Sequence, residues 1–310
     1  MIVCCGEALI DMLPRRSAQG EAAFAPYVGG AVFNTAIALG RLELPVGFFT
    51  GISTDLFGDM LRDALSASNV QTDLVKFSSR PTTLAFVHLV DGHASYLFYD
   101  ENTAGRMLEV KDLPVIGPNV EAMHFSCISL IPEPCGGTYE ALMQREQPHR
   151  VMMFDPNIRA GFITDKPKHL ARMRRMLAMA DIVKLSDEDL NWFGETGSMN
   201  EIAQRWLEAG PKLMVVTKGA DGLVAFSQNH SVSVPAEPVK VVDTVGAGDT
   251  INAGILASLR DQGLLTKQAI ASLSEAQIVN VLRFSARCAA ITVSRAGANP
   301  PTRAEMTCEL

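Results

Sequence analysis

None of the six cysteines stands in a C-x-x-C spacing, and six in 310 residues is far below the density of a small disulfide-stapled domain. Cys4, Cys5, Cys127, Cys135, Cys288 and Cys308 are therefore expected to be reduced, mostly buried thiols. The histidines include no H-E-x-x-H pair, so a zinc site built by the protein is not expected and any metal should arrive with a substrate. No basic tract is long enough to neutralise a phosphate backbone. Lys+Arg 27 against Asp+Glu 34 gives a formal net charge of -7, which argues against a nucleic-acid partner. No segment offers the roughly 18 uninterrupted apolar residues of a membrane span. The opening Met1 to Asp11 has no basic region and meets Glu7 and Asp11 at once, so neither a signal peptide nor an anchor is expected. There is no repeat period and no low-complexity linker. With 47% apolar and 20% charged residues, the chain reads as a folded cytoplasmic protein, one large domain with a small appendage.

What is present is an alternation. Short apolar runs at 2–5, 122–127, 151–154, 181–185 and 212–216 alternate with helix-period stretches at 33–42, 54–67, 167–179 and 198–208. That pattern predicts an α/β fold: a mostly parallel central sheet flanked by helices. Several of the runs end on polar residues where the chain leaves the sheet, Asp155, Ser186 and Thr217 among them, and ligands of open α/β sheets sit beyond those carboxyl ends. Two β-rich segments, Leu84 to Val90 and Ala94 to Tyr99, break the alternation, with Asp91-Gly92 between them as a hairpin signal. Together with 12–28 they predict a small β-lid, approximately 12–28 and 83–105, whose apolar outer face needs either a substrate pocket or another subunit.

The densest chemical signal is Val242-Asp243-Thr244-Val245-Gly246-Ala247-Gly248-Asp249-Thr250, running into an apolar helical stretch. Glycines at a helix start expose consecutive N–H groups, and the macrodipole adds its field, so Gly246 to Gly248 make a place for an anion. Such a cradle stabilises the charge developing on a transferred phosphoryl group. Asp249, in the first turn, is within reach of a nucleophile aimed at that anion. With an ordinary pKa near 3.9 it would be ionised at neutral pH and able to take a proton from an attacking alcohol. A second signal, Gly29-Gly30-Ala31-Val32-Phe33-Asn34, also opens a helix. Its glycines permit close approach of a ligand, and Asn34 offers donor and acceptor together, which suits a polyol.

These two strings resemble the signatures of the PfkB, or ribokinase-like, carbohydrate kinases, and the resemblance runs from Gly6 to about Pro301. It implies a ribokinase-like Rossmann-type sandwich, with ATP as phosphoryl donor, magnesium, and a small-molecule sugar as acceptor. It further implies that Asp249 is the base, that Gly246, Ala247 and Gly248 form the anion hole, and that Asp11, Gly30 and Asn34 hold sugar hydroxyls. Asp155-Pro156-Asn157-Ile158-Arg159 is similar to the family's D-x-N-x-R strand end, placing Asn157 and Arg159 near the sugar and the transferred phosphate. Thr217-Lys218-Gly219-Ala220-Asp221-Gly222 resembles the loop along the ATP phosphates and ribose, and Lys184 and Ser186 join Thr217, Gly219, Gly222 and Gly248 on the nucleotide side. The helix around Arg283 to Ser294 takes the place of an adenine-pocket wall.

Two departures from the pattern matter. Where the family has N-x-x-E around magnesium, this chain has Ser186-Asp187-Glu188-Asp189; Asp189 fits the spacing and Glu188 the residue type, so either serves the metal indirectly. A monovalent cation, potassium, would draw on Asp243, Val245 and the Arg295 to Pro301 loop, although Pro301 replaces a side-chain hydroxyl. Within the family, Gly6 to Asp11, Tyr96 to Ala104 and Ser294 to Pro301 are most similar to bacterial fructokinases, implying D-fructose to fructose 6-phosphate, with Phe98 and Tyr99 closing the lid over the sugar. The alternatives are a 2-keto-3-deoxygluconate kinase, in which Arg106 would meet the carboxylate, a ribokinase, or a non-catalytic sugar-binding regulator. A homodimer through the lid completes the expectation.

Overall fold

The computed structural model describes residues 1–90 and 93–308, so the Asp91-Gly92 turn lies outside the described residues. The chain opens with β1 (Ile2–Cys5), then β2 (Leu9–Arg16), β3 (Ala22–Gly29) and helix α1 (Ala31–Arg41). There follow β4 (Val46–Phe49), β5 (Gly51–Ser53), α2 (Leu56–Ala67), β6 (Val70–Gln71), β7 (Lys76–Ser78), β8 (Leu84–Val90) and β9 (His93–Tyr99). Next come β10 (Ala122–Ser126), α3 (Cys135–Glu146), β11 (Val151–Asp155), α4 (Lys166–Met179), β12 (Ile182–Ser186), α5 (Asp187–Trp192), α6 (Met199–Ala209) and β13 (Leu213–Thr217). An antiparallel pair, β14 (Leu223–Phe226) and β15 (Ser231–Val234), precedes α7 (Ala247–Asp261), α8 (Lys267–Ile270) and α9 (Glu275–Val293).

Nine strands form the main sheet in the order β15-β14-β13-β12-β11-β10-β1-β4-β6, parallel from β6 to β13 and antiparallel at the β14–β15 edge. Alternate residues serve opposite faces. Ile2, Cys4, Met153 and Val215 pack with α1, α7 and α9, whereas Val3, Cys5, Met152 and Val216 pack with α3, α4 and α6. Burial on both faces explains why these strands read as unbroken apolar runs.

From β1 the order runs to β4 and β6 on one side and to β10 and onward on the other, so the switch point lies where β1 and β10 separate. Parallel α/β sheets bind ligands in the crevice at the carboxyl ends of such a pair. Gly6 and Glu7 leave β1 there, and Cys127 leaves β10 beside them.

The small sheet has the order β3-β2-β8-β9. Its register aligns Asp11 with Ala85, and Ala85 with Phe98, so those three side chains share one face. Leu97 and Tyr99 occupy the opposite, outer face with Phe86, and Tyr99 packs edge-on against Phe86. The sequence-based pairing of Phe98 with Tyr99 over one pocket is therefore corrected. Neighbours along a strand point to opposite sides, and of the two aromatic residues Phe98 lines the cavity described below while Tyr99 does not.

Candidate active site

Helix α7 begins at Gly246, whose φ of 79° is left-handed; a Cβ there would come within 2.7 Å of the Ala298 side chain. Glycine is thus required for the chain to turn into the helix. The N–H groups of the first turn, Gly248 and Asp249 included, belong to the donors that no helix can satisfy internally, and they point at the head of α7. Asp249 is buried at the same spot, its Oδ2 accepting a 2.9 Å hydrogen bond from the Asn34 amide of α1. Thr35, also of α1, donates to the Asp249 backbone carbonyl at 3.2 Å. The two helix starts that carry the motifs are thereby bolted together.

Burial pushes the Asp249 carboxyl up to about 7, against the opposing Asn34 hydrogen bond and the Lys184 charge; Asp155 adds to the rise and Arg159 opposes it. The ordinary pKa expected from the sequence is corrected accordingly. A base poised near neutral pH is better matched to proton transfer than one near 4.

Beneath the anion cradle lies Asp155, wholly buried at the end of β11. Its Oδ2 accepts from Lys184 Nζ at 3.0 Å and from the Asn252 amide of α7 at 2.7 Å, while Oδ1 accepts from the Asn157 N–H at 3.1 Å. One carboxylate therefore ties β12, α7 and the turn that follows β11. Lys184, expected on the nucleotide side, is buried in this ion pair, and a Cβ added at Gly248 would lie 3.0 Å from its ammonium at the head of α7.

Asn157 adopts a left-handed φ of 40°, and Arg159 beyond it is exposed. Desolvation works against the Arg159 charge, yet the combined pull of Cys127, Asp249, Asp189 and Asp155 raises its pKa. Asp189 is occupied: Oδ2 accepts from the Ser186 backbone and hydroxyl as part of the α5 capping box, and Oδ1 accepts from the Ile158 N–H at 2.8 Å. Glu188 is exposed, with a side chain that makes no such bond.

Asp11, expected to hold a sugar hydroxyl, is mostly buried, and its pKa is pushed up to about 6 by burial. A Cβ at Gly29 would lie 2.3 Å from its Oδ2, and one at Gly30 would lie 2.9 Å from the Glu7 carbonyl. The double glycine thus makes room for the protein's own Asp11 and Glu7. Glu7 is buried, and its Oε1 accepts from the Ala31 and Val32 N–H groups that start α1, at 2.8 and 3.3 Å. Burial raises its pKa and these bonds oppose the rise. Next to it opens a cavity of about 510 Å³, walled by Glu7, Phe98, Phe162 and Arg106 among others, with the Phe98 and Phe162 rings stacked edge-on at 4.4 Å.

On the other side, Ser186 and Thr217 are register partners at the ends of β12 and β13. The 218–222 turn, with Gly219 and Gly222 both left-handed, begins beside them; a Cβ at Gly222 would strike the Val234 carbonyl at 2.1 Å. Asp243 accepts from Val245 N–H at 3.1 Å and from Gly297 N–H at 2.9 Å, so the two segments expected around a monovalent cation are joined. Among the described residues no cluster of three or more acidic, histidine or cysteine side chains could hold a metal alone.

The pfkB family carbohydrate kinase model matches residues 1–305. The chain belongs to this family. It is a phosphotransferase acting on an alcohol group. The kinase is 59% identical over 280 residues, 90% of this chain and 86% of the other, to a fructokinase of Rhizobium leguminosarum bv. trifolii. A crystal structure of fructokinase with bound ATP from Xylella fastidiosa superposes with a TM-score of 0.90 at 30% identity, covering 98% of this chain and 96% of that one. A fructokinase from Vibrio cholerae O395, in a form with fructose, ADP and calcium ion bound, gives a TM-score of 0.84 at 27% identity, with 98% and 97% covered. The kinase thus has the ribokinase-like α/β fold with a separate small sheet.

Sequence reasoning missed two residues that hold the site together, Glu7 and Asn252. Glu7 stood inside the Gly6 to Asp11 string without a role, although an acid directly after a buried strand and ahead of a Gly-Gly helix start was a signal for an N-terminal cap. Asn252 was hidden in the apolar run of α7; an amide on a wholly buried helix face must find a partner, and Asp155 was the acid available.

Proposed function

We propose that this kinase transfers the γ-phosphoryl group of ATP to D-fructose, giving fructose 6-phosphate and ADP. The observation that carries the reading is the Asp249 carboxylate, held by Asn34 at the head of α7 beside unpaired N–H donors. The 59% identity to a fructokinase favours fructose over 2-keto-3-deoxygluconate or ribose. Asp249 Oδ2 is engaged by Asn34, which leaves Oδ1 to take the proton of the sugar hydroxyl as its oxygen attacks the γ-phosphorus. The bond from that phosphorus to the bridging oxygen breaks, and ADP leaves with the electron pair. Gly246, Ala247 and Gly248 would stabilise the transferred oxygens, with Lys184 adding positive charge from below and Arg159 from the open side. Asp11, Gly30, Asn34 and Asn157 would orient the sugar, and Phe98 would exclude water.

Ser186, Thr217, Gly219 and Gly222 would lie along the nucleotide. Magnesium would arrive with ATP, screening its phosphate charge; of the two acids proposed for it, Glu188 is the one with uncommitted oxygens. Potassium would bind among carbonyls near Asp243 and Val245. The same reading places the kinase in the cytoplasm, where ATP is found and free thiols persist. All six cysteines are unpaired, and no helix among the described residues is long and apolar enough to cross a membrane. It also pairs two copies through the outer face of the small sheet. An ADP-release panel tests the central reading: kcat/KM should be highest for fructose, and a preference for ribose or 2-keto-3-deoxygluconate would overturn it.

A further inference from the structure

The wall of the 510 Å³ cavity carries charged side chains at Glu7, Asp100 and Arg106, two acids and one base. Arg106 Nη1 donates to Asp100 Oδ1 at 2.9 Å, both side chains being about one-third exposed, and Arg106 Nε points at the Glu133 carbonyl at 3.4 Å. The pair is held ready by its loop. The Asp100 carbonyl accepts from the Thr103 N–H and hydroxyl at 3.2 and 2.9 Å, and the buried Thr103 hydroxyl accepts from Thr83 at 2.9 Å. The cation of this wall therefore already has an anionic partner, while Glu7 contributes a further acid held on the helix start of α1.

We propose that this cavity, which shares Phe98 with the residues assigned to the sugar, receives part of the substrate, and that the Arg106–Asp100 pair in its wall is a specificity device, a compensated charge that admits a neutral ketose and refuses a sugar acid. The proposal rests on the sugar-kinase reading above and deepens it. A substrate carboxylate entering this cavity would meet Glu7 and Asp100 without an unpaired cation, so its desolvation would go uncompensated. A neutral polyol loses nothing of the kind and can still hydrogen-bond to the outer edges of both partners. Removing the Asp100 charge would leave the Arg106 guanidinium, a planar fork suited to carboxylates, facing the cavity alone.

The test compares the unaltered kinase, Asp100→Asn and the double variant Asp100→Asn/Arg106→Met, with Asp100→Ser as a second neutral replacement should the first not fold. Each is assayed for kcat/KM on D-fructose and on 2-keto-3-deoxygluconate, and for protection against thermal unfolding by each sugar. Neutralising Asp100 should raise the acid-to-fructose ratio at least about tenfold, a change of roughly 1.4 kcal/mol, and strengthen protection by the acid. Loss of Arg106 should abolish both gains. An unchanged ratio and unchanged protection in both neutral variants, or gains that survive without Arg106, would overturn the proposal. An unaltered kinase inactive on fructose would overturn the fructose reading, while protection by the acid in Asp100→Asn would still report on the pair.

Discussion

At Asp249, the proposed base, burial and the proposed proton transfer pull on the same carboxyl. Its pKa of about 7 means that it holds a proton in the fold at pH values where the unfolded chain has lost it. Between the unfolded value near 3.8 and about 7 the native state therefore binds more protons, and this residue's contribution to stability is present in acid and lost as pH rises through 7. The base form needed for turnover is thus the less stable form. Two consequences share one experiment. The kinase should show an acid limb in kcat/KM near pH 7, activity falling about tenfold per unit below it as the base is protonated. Asp249→Asn should lower kcat at least about 10²-fold with sugar binding retained. The same variant should raise the melting temperature at pH 8, where the native carboxylate is charged and buried. Near-normal turnover in the variant, or a flat profile between pH 6 and 8, would remove Asp249 from the chemistry.

Among the elements, α7 is held by its packing against α9 and α1. Asp155 fixes it from β11, through Asn252, and fixes Lys184 and the Asn157 turn at the same time. Breaking a buried ion pair from one side leaves the other charge uncompensated and costs about 3–5 kcal/mol. Asp155→Asn should therefore destabilise the kinase by that order in urea unfolding and lower kcat as well. The double variant Asp155→Asn/Lys184→Met should recover much of the stability, because no unpaired charge remains, but not the turnover, because the positive charge at the head of α7 is gone. Recovery of both would reduce the cluster to a packing role. These elements were largely legible in the sequence: the runs at 151–154 and 212–216 are β11 and β13 nearly to the residue, since strands buried on both faces leave unbroken apolar strings. Short β4 and β6, and the antiparallel β14–β15 edge, were not among the runs read from the sequence.

At the scale of the whole molecule, the small sheet presents Phe24, Leu97 and Tyr99 outward, between 49% and 58% exposed, a cluster of apolar side chains larger than a solvent-facing strand normally keeps. If two copies cover this face, Leu97→Lys should shift the light-scattering mass from dimer toward monomer while leaving each chain folded. A monomeric mass for the unaltered kinase would remove the pairing.

The sequence by itself determined the layered α/β architecture and the two glycine-rich helix starts, because periodicity and motif spacing are local properties of the chain. Only the tertiary structure decided that Lys184 turns inward to Asp155, that Asp189 spends its oxygens on Ser186 and Ile158, and that Gly29 and Gly30 clear space for Asp11 and Glu7. It likewise decided that Asp249 titrates near neutrality. Each of these depends on which groups from distant segments share a dry interior, where an unpaired charge is costly and the nearest partner takes it up.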